Sequence, residues 1–189
     1  MTSRAASVRL LCLDVDGVLT EGAVVLDAEG RETKSFSVRD GLGIVLWQRL
    51  GGRVAVLTGR SSAAVDRRMK ELGVASVRQG CTDKARDLRE VASDAGIPLD
   101  QVAFVGDDLP DLPALRTCGY PVAVQDAAPE VRAAAAFVTA APGGKGAVRE
   151  VVEHLLRAQD RWNDALAMFD AAPTAGSPAG ASVERPRSI

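Results

Sequence analysis

The run Val8-Arg9-Leu10-Leu11-Cys12-Leu13 ends in Asp14-Val15-Asp16-Gly17-Val18-Leu19-Thr20, so two carboxylates stand two residues apart where a buried strand stops. Side chains alternate along a strand, and Asp14 and Asp16 share one side if extended geometry persists, while Gly17 allows a sharp turn after them. Two acids held together repel. A divalent cation between them relieves the repulsion, and so does protonation of one of them. Both conditions suit phosphoryl transfer. Asp14 is placed to be a nucleophile, its carboxylate oxygen attacking phosphorus to give an aspartyl-phosphate that water then hydrolyses. Asp16 is placed to protonate the departing alkoxide and afterwards to deprotonate that water. The segment is not an EF-hand calcium loop, because Gly17 falls fourth and Leu19 sixth, the position where that loop needs glycine.

Three further segments carry matching chemistry. Thr58-Gly59-Arg60 follows Val54-Ala55-Val56-Leu57 and precedes Ser61, read as a helix N-cap. The Thr58 hydroxyl and nearby amides suit phosphate oxygens, although an ordinary capped turn accounts for this segment equally well. Arg60 and Arg68 suit a substrate carboxylate, which a guanidinium binds in bidentate fashion; for Arg68 a solvated helix face is an equal reading. Lys84 opens a helix, where the dipole disfavours a cation, so its placement points to an anion nearby and a role in neutralising phosphoryl charge. Gly106-Asp107-Asp108-Leu109-Pro110-Asp111 puts three acids in five positions. Asp107 reads as a metal ligand; Asp108 and Asp111 are as well explained as helix caps.

The elements that must position these residues alternate in type. Short apolar runs recur at Val8–Leu13, Val54–Leu57, Val77–Gln79, Val102–Val105 and Val122–Val124, with helix-period segments around Ala63–Leu72, Lys84–Ala95 and Pro110–Thr117. This is the pattern of an α/β fold, a doubly wound, Rossmann-like parallel sheet covered on both faces. Ligands bind such sheets at the carboxyl ends of the strands, and Asp14/Asp16, Thr58-Gly59-Arg60 and Gly106-Asp107-Asp108 each follow a strand directly, so they converge on one crevice. Between the first strand and a helix starting near Gly41, Ala23–Leu26 and Thr33–Phe36 flank Asp27-Ala28-Glu29-Gly30, a β-hairpin insert too small to be a cap domain. The crevice of one copy then stays open to water, and a neighbouring subunit is the simplest closure. Gly143-Gly144-Lys145-Gly146 lacks the spacing and the Ser or Thr of a Walker loop; it opens a helical stretch from Ala147 to about Asp170, with anion binding and simple chain reversal both open. The expected organisation is a domain over 1–170 and a flexible tail rich in Ala, Pro and Gly over 171–189.

With 189 residues and a net charge of −2, the chain has room for one well-buried α/β domain and shows no basic block, which argues against nucleic acid and for a small-molecule partner. Three cysteines without a Cys-x-x-Cys spacing argue against a disulfide framework or structural zinc. That usage, and the want of a membrane-length apolar run, lead us to expect a cytoplasmic protein that no membrane holds. His154 is the only histidine and lies far in sequence from every motif, so a Ser-His-Asp or Cys-His mechanism has little support.

Taken together, Asp14-x-Asp16, Thr58, Lys84 and Gly106-Asp107-Asp108 resemble the haloacid dehalogenase superfamily in order and placement. More narrowly, Asp14–Thr20, Phe36-Ser37-Val38-Arg39-Asp40-Gly41, Thr58-Gly59-Arg60 and Gly143–Glu150 look like its capless branch, typified by 3-deoxy-D-manno-octulosonate 8-phosphate phosphatase. The resemblance implies a magnesium-dependent phosphatase acting on an acidic 3-deoxy-2-keto sugar phosphate, the eight-carbon octulosonate before the nine-carbon nonulosonate. It implies Mg2+ held by the Asp14 carboxylate, the Asp16 carbonyl oxygen and the Asp107 carboxylate, with Thr58 and Lys84 on the phosphate. Substrate contacts are implied for Asp16, Ser37, Val38, Arg39, Asp40, Gly41, Arg60, Arg68 and Lys84, those of Ser37–Gly41, Arg60 and Arg68 being to the sugar. It also implies a homotetramer whose hairpins join, so that a neighbour completes each site. The reading from another class is a binding or scaffold protein on an inactive hydrolase fold, since fold alone never establishes activity.

Overall fold

The computed structural model describes residues 2–170. The elements run in the order α1 (Thr2–Ala6), β1 (Leu10–Leu13), β2 (Val25–Leu26), β3 (Glu32–Thr33), α2 (Val38–Arg49), β4 (Arg53–Leu57), α3 (Ala63–Glu71) and β5 (Ser76–Arg78), then α4 (Lys84–Asp94), β6 (Val102–Gly106), α5 (Leu112–Leu115), β7 (Tyr120–Ala123), α6 (Pro129–Ala134), β8 (Phe137–Val138), α7 (Ala147–Ala158) and α8 (Trp162–Asp170). Six strands form one parallel sheet in the order β5-β4-β1-β6-β7-β8. The central strands are apolar almost without interruption because both their faces are covered: every residue of β1 and β6 is buried.

One face is closed by α1, α2 and α7, the other by α4, α5 and α6. The apolar stripe of α7, Val148, Val151, Val152, Leu155 and Leu156, is fully buried, each side chain worth about 2 kcal/mol over exposure. The approach of α2 to α7 needs Gly43, where a Cβ would sit 3.0 Å from the Arg149 Cα. The hairpin of β2 and β3 stands apart from the main sheet, with Val25 opposite Thr33 and Leu26 opposite Glu32. No cap domain interrupts the chain among the described residues.

Several local expectations shift. The hairpin strands are shorter than the apolar run suggested. The second helix begins at Val38, because Ser37 caps it by accepting the Asp40 backbone N–H at 3.3 Å. The third is capped at Ser62, one residue beyond Ser61, and without a side-chain hydrogen bond. Pro110–Thr117 splits into a 3-10 turn over Leu109–Asp111 and the short α5, since Pro113 brings no N–H to a continuous ladder. The last helical stretch breaks at Asp160, whose φ of 57° ends α7 before α8 begins. The expected tail at 171–189 lies outside the described residues.

Candidate active site at the carboxyl end of the sheet

Asp14 continues β1 by one residue: its backbone N–H donates to Val105 O at 3.1 Å, so β6 holds the carboxylate at the strand's end. The chain then folds back over Val15, whose carbonyl accepts the N–H groups of Val18, Leu19 and Thr20, while fully buried Val15 and Val18 anchor the loop from below. Gly17, at φ 87°, is required twice over. It turns in a region L side chains avoid, and a Cβ there would run into the Asp107 carboxylate. The Gly-rich segment backs this loop: Gly144 N–H donates to Val18 O at 2.9 Å, and neither Gly143 nor Gly144 has room for a Cβ against the backbone of Gly17 and Thr20.

β4 delivers Thr58, almost wholly buried, and Arg60 just beyond it. Lys84 is the first residue of α4, whose N-cap is Asp83, and its buried ammonium lies 3.0 Å from Asp14 Oδ1 and 2.5 Å from Asp111 Oδ1. The anion that a cation at a helix start implied is thus a pair of carboxylates from β1 and from the turn after β6. Asp107 follows β6 directly. Asp111 accepts the N–H groups of Asp107 at 3.0 Å and Asp108 at 3.4 Å on Oδ2, while Asp108 caps the 3-10 turn through Leu109 N–H. Asp111 is therefore both a cap and a member of the buried cluster. Sequence spacing showed only the cap, because the partner that makes it a site residue, Lys84, lies 27 positions away.

Asp14, Asp107 and Asp111 present carboxylate oxygens within 4.8 Å of one another. Burial, and then the charges of Asp14 and Asp111, push the Asp107 carboxyl up to about 8. Burial and Asp111 likewise raise Asp14, with Lys84 pulling the other way. Burial works against the charge on Lys84, but Asp14 and Asp111 outweigh it and hold the ammonium above the ordinary lysine range. Asp14 Oδ1 is buried without a hydrogen bond in proper geometry despite its nearness to Lys84. Three crowded carboxylates, one of them with an unsatisfied hard oxygen, make a donor set that fits Mg2+.

These residues line a cavity of about 500 Å3 with Asp16, Gly22, Gly59, Arg60, Cys81 and Asp108. A cavity of about 540 Å3 at the opposite end of the sheet, between Trp47, Leu50 and Gln159, gathers no such cluster, so chemistry rather than size marks the site. Asp16 meets Lys34 through Oδ1 and lies 3.6 Å from Arg60 through Oδ2. Lys34, and Glu32 beside it, were not singled out from sequence; they come from the hairpin, and nothing local marks them.

The remaining residues implied by resemblance lie elsewhere. Ser37, Val38, Arg39, Asp40, Gly41 and Arg68 do not line this cavity. Ser37 caps α2, while Val38 and Arg39 are exposed. Asp40 is buried, with Oδ2 accepting Gly146 N–H at 3.1 Å and Oδ1 accepting Arg149 N–H at 2.8 Å. It fills the N-terminus of α7 with the protein's own anion, which answers the question left open for the Gly-rich turn. Arg68 pairs with Glu71 at 2.9 Å and lies against Gly41, where a Cβ would meet its guanidinium.

Comparison with known proteins gives the family. Residues 77–151 match the family model for haloacid dehalogenase-like hydrolases. The chain is 41% identical over 165 residues to 3-deoxy-D-manno-octulosonate 8-phosphate phosphatase KdsC of Yersinia pestis, covering 87% of this chain and 88% of that protein. It is also 41% identical to KdsC of Escherichia coli K12, over 86% and 87% of the two chains. The chain belongs to the 3-deoxy-D-manno-octulosonate 8-phosphate phosphatase family. The family's Moraxella catarrhalis member, solved with magnesium, phosphate and KDO, superposes with a TM-score of 0.87 at 43% identity, covering 89% of this chain and 97% of that one. The capless octulosonate phosphatase fold, with its hairpin insert, is thus shared along nearly the whole described chain.

Proposed function

We propose that this protein is a magnesium-dependent phosphomonoesterase that hydrolyses 3-deoxy-D-manno-octulosonate 8-phosphate to the free sugar acid and phosphate. The observation that carries the reading is the buried Asp14 Oδ1, unsatisfied and faced by Asp107, Asp111 and Lys84 at the carboxyl end of β1. Asp14 attacks phosphorus and becomes the aspartyl-phosphate; Asp16 gives a proton to the departing sugar alkoxide and then takes one from the water that releases phosphate. Thr58 and Lys84 hold the phosphoryl oxygens, and Lys84 offsets the charge that builds on them. Asp14, the Asp16 carbonyl and Asp107 would hold magnesium, while Asp111 holds Lys84 and the 107–108 backbone in register. Magnesium, when bound, screens the repulsion between Asp14 and the phosphate and stabilises charge on the transferring group.

The finer parts of the reading are a homotetramer and a cytoplasmic setting. Two observations support assembly. Val24, Val25 and Leu26 of the hairpin are half or more exposed, and strands of two residues do not stand alone in water. The surface carrying Arg39, Gly41 and Arg68 is separate from the cavity of its own chain, so its service to the sugar requires a neighbouring copy. Three free cysteines support a reducing compartment, and among the described residues no helix is long and apolar enough to cross a membrane.

The test is phosphate release, with magnesium and with chelator, from the octulosonate 8-phosphate, a nonulosonate 9-phosphate and simple hexose phosphates. Strong preference for the octulosonate, lost with chelator, is expected. Preference for the nine-carbon sugar, or indiscriminate turnover, overturns the substrate. The want of any turnover overturns the enzyme in favour of a scaffold.

A further inference from the structure

The reading of Asp16 as the proton-transfer group leaves open what holds its carboxylate still. The loop that carries it supplies no hydrogen bond to that side chain; Thr20 serves the Gly17 and Gly22 amides instead. The holding contact comes from the hairpin. Glu32 and Lys34 are alternate residues of one extended segment and share a face. Their side chains are only 16% and 2% exposed, which is costly for a lysine without partners. Lys34 Nζ donates to Asp16 Oδ1 and lies 3.5 Å from Glu32 Oε1. The same Glu32 oxygen accepts from Arg60 Nη2 at 2.7 Å, and Arg60 Nε returns to within 3.6 Å of Asp16 Oδ2. The four charges alternate around a closed ring. Within it, Asp16 Oδ1 is committed to Lys34, while Oδ2 is buried with no hydrogen-bond partner.

We propose that Lys34 is a positioning residue for the phosphatase reaction: by engaging Asp16 Oδ1 it fixes the carboxylate in the one orientation that leaves Oδ2 free to give and take the proton. Lys34 does not line the cavity and touches no reacting atom, so it acts only through Asp16. The division of labour between the two oxygens also gives the hairpin a second role beyond any part in assembly, because it carries the residue that orients the acid. The inference rests on Asp16 being the proton-transfer group, and its test separates the two.

The experiment compares Lys34→Met with Asp16→Asn on two substrates, a sugar phosphate whose alkoxide must be protonated to leave and p-nitrophenyl phosphate, whose leaving group departs as an anion. For Lys34→Met, kcat on the octulosonate phosphate should fall about 100-fold with KM little changed, the scale set by a small misplacement of a reacting group. The first-turnover burst of p-nitrophenolate should persist, and Lys34→Arg, which keeps the charge, should recover much of the sugar phosphatase rate. A first-turnover burst that slows as much as sugar phosphate turnover does, or no loss on the sugar phosphate, overturns the positioning role. If Lys34→Met does not fold, Lys34→Gln and Lys34→Arg carry the same comparison of substrates. If Asp16→Asn spares turnover of the sugar phosphate, the reading of Asp16 itself fails; if it abolishes that turnover while Lys34→Met does not, only the present inference fails.

Discussion

Asp14 and Asp40 are both buried acids, 7% and 1% exposed, and burial raises the carboxyl of each, yet their surroundings are opposite. The two oxygens of Asp40 accept N–H groups from the first turn of α7, where the helix dipole favours an anion. Asp14 Oδ1 has no hydrogen bond in proper geometry and faces two more carboxylates, with Lys84 at 3.0 Å as the one cation in the group. A buried charge that the backbone satisfies belongs to the architecture: Asp40 ties α2 to α7. A buried charge left among like charges is held against its own preference by the fold, and that arrangement persists where binding or chemistry requires it.

The sharpest way to break this contrast is Asp14→Asn. Phosphate release should fall roughly a thousandfold or more. The metal-free protein should unfold at the same temperature or higher, because an amide removes a negative charge from beside Asp107 and Asp111. A large drop in unfolding temperature would mean that Asp14 stabilises the fold as Asp40 does.

Asp40→Ala should do the reverse. Two amides at the start of α7 lose their acceptor, at about 1 to 3 kcal/mol, read from urea unfolding. Added magnesium should stabilise this variant by as much as it stabilises the parent. A vanished magnesium increment would place Asp40 with the site instead of with the architecture.

The smallest effect concerns pH. Asp107 is raised to about 8 in the metal-free protein, whereas in the unfolded chain an aspartate loses its proton near about 4. Between those values the folded state holds a proton that the unfolded state has lost, so stability falls as pH rises through the window. With Asp107 as the proposed magnesium ligand, binding would require the loss of that proton, and the metal's effect on the unfolding temperature should therefore grow from pH 5.5 to about 8. Thermal melts with and without magnesium across that range check it, and an increment independent of pH would remove Asp107 from the metal site.

Much of the fold is legible because its signals are local. The centre of the sheet, β1, β4 and β6, reads directly from continuous apolar runs, and Asp14, Thr58 and Asp107 each follow one of them. The elements that escape notice are those whose reasons are not local. β8 is two residues long and exists because it pairs with Val122 and Ala123 of β7. α6 spans only Pro129–Ala134, too short for a periodic pattern, and is fastened by buried Val131. The break at Asp160 carries neither Gly nor Pro; aspartate simply tolerates the left-handed region better than most residues.

The sequence by itself determined the order of the central strands and the helices between them, the strand ends at which the carboxylates emerge and the family to which they belong, since periodicity and motif spacing are properties of neighbouring residues. Only the tertiary structure decided which charges meet. Asp111 reaches Lys84 across 27 positions, Lys34 reaches Asp16 across 18, and Asp40 reaches the amides of α7 across more than a hundred. Those pairings depend on where the sheet and hairpin bring distant segments to within a few ångströms, and electrostatic energy at that range follows distance in space, not along the chain.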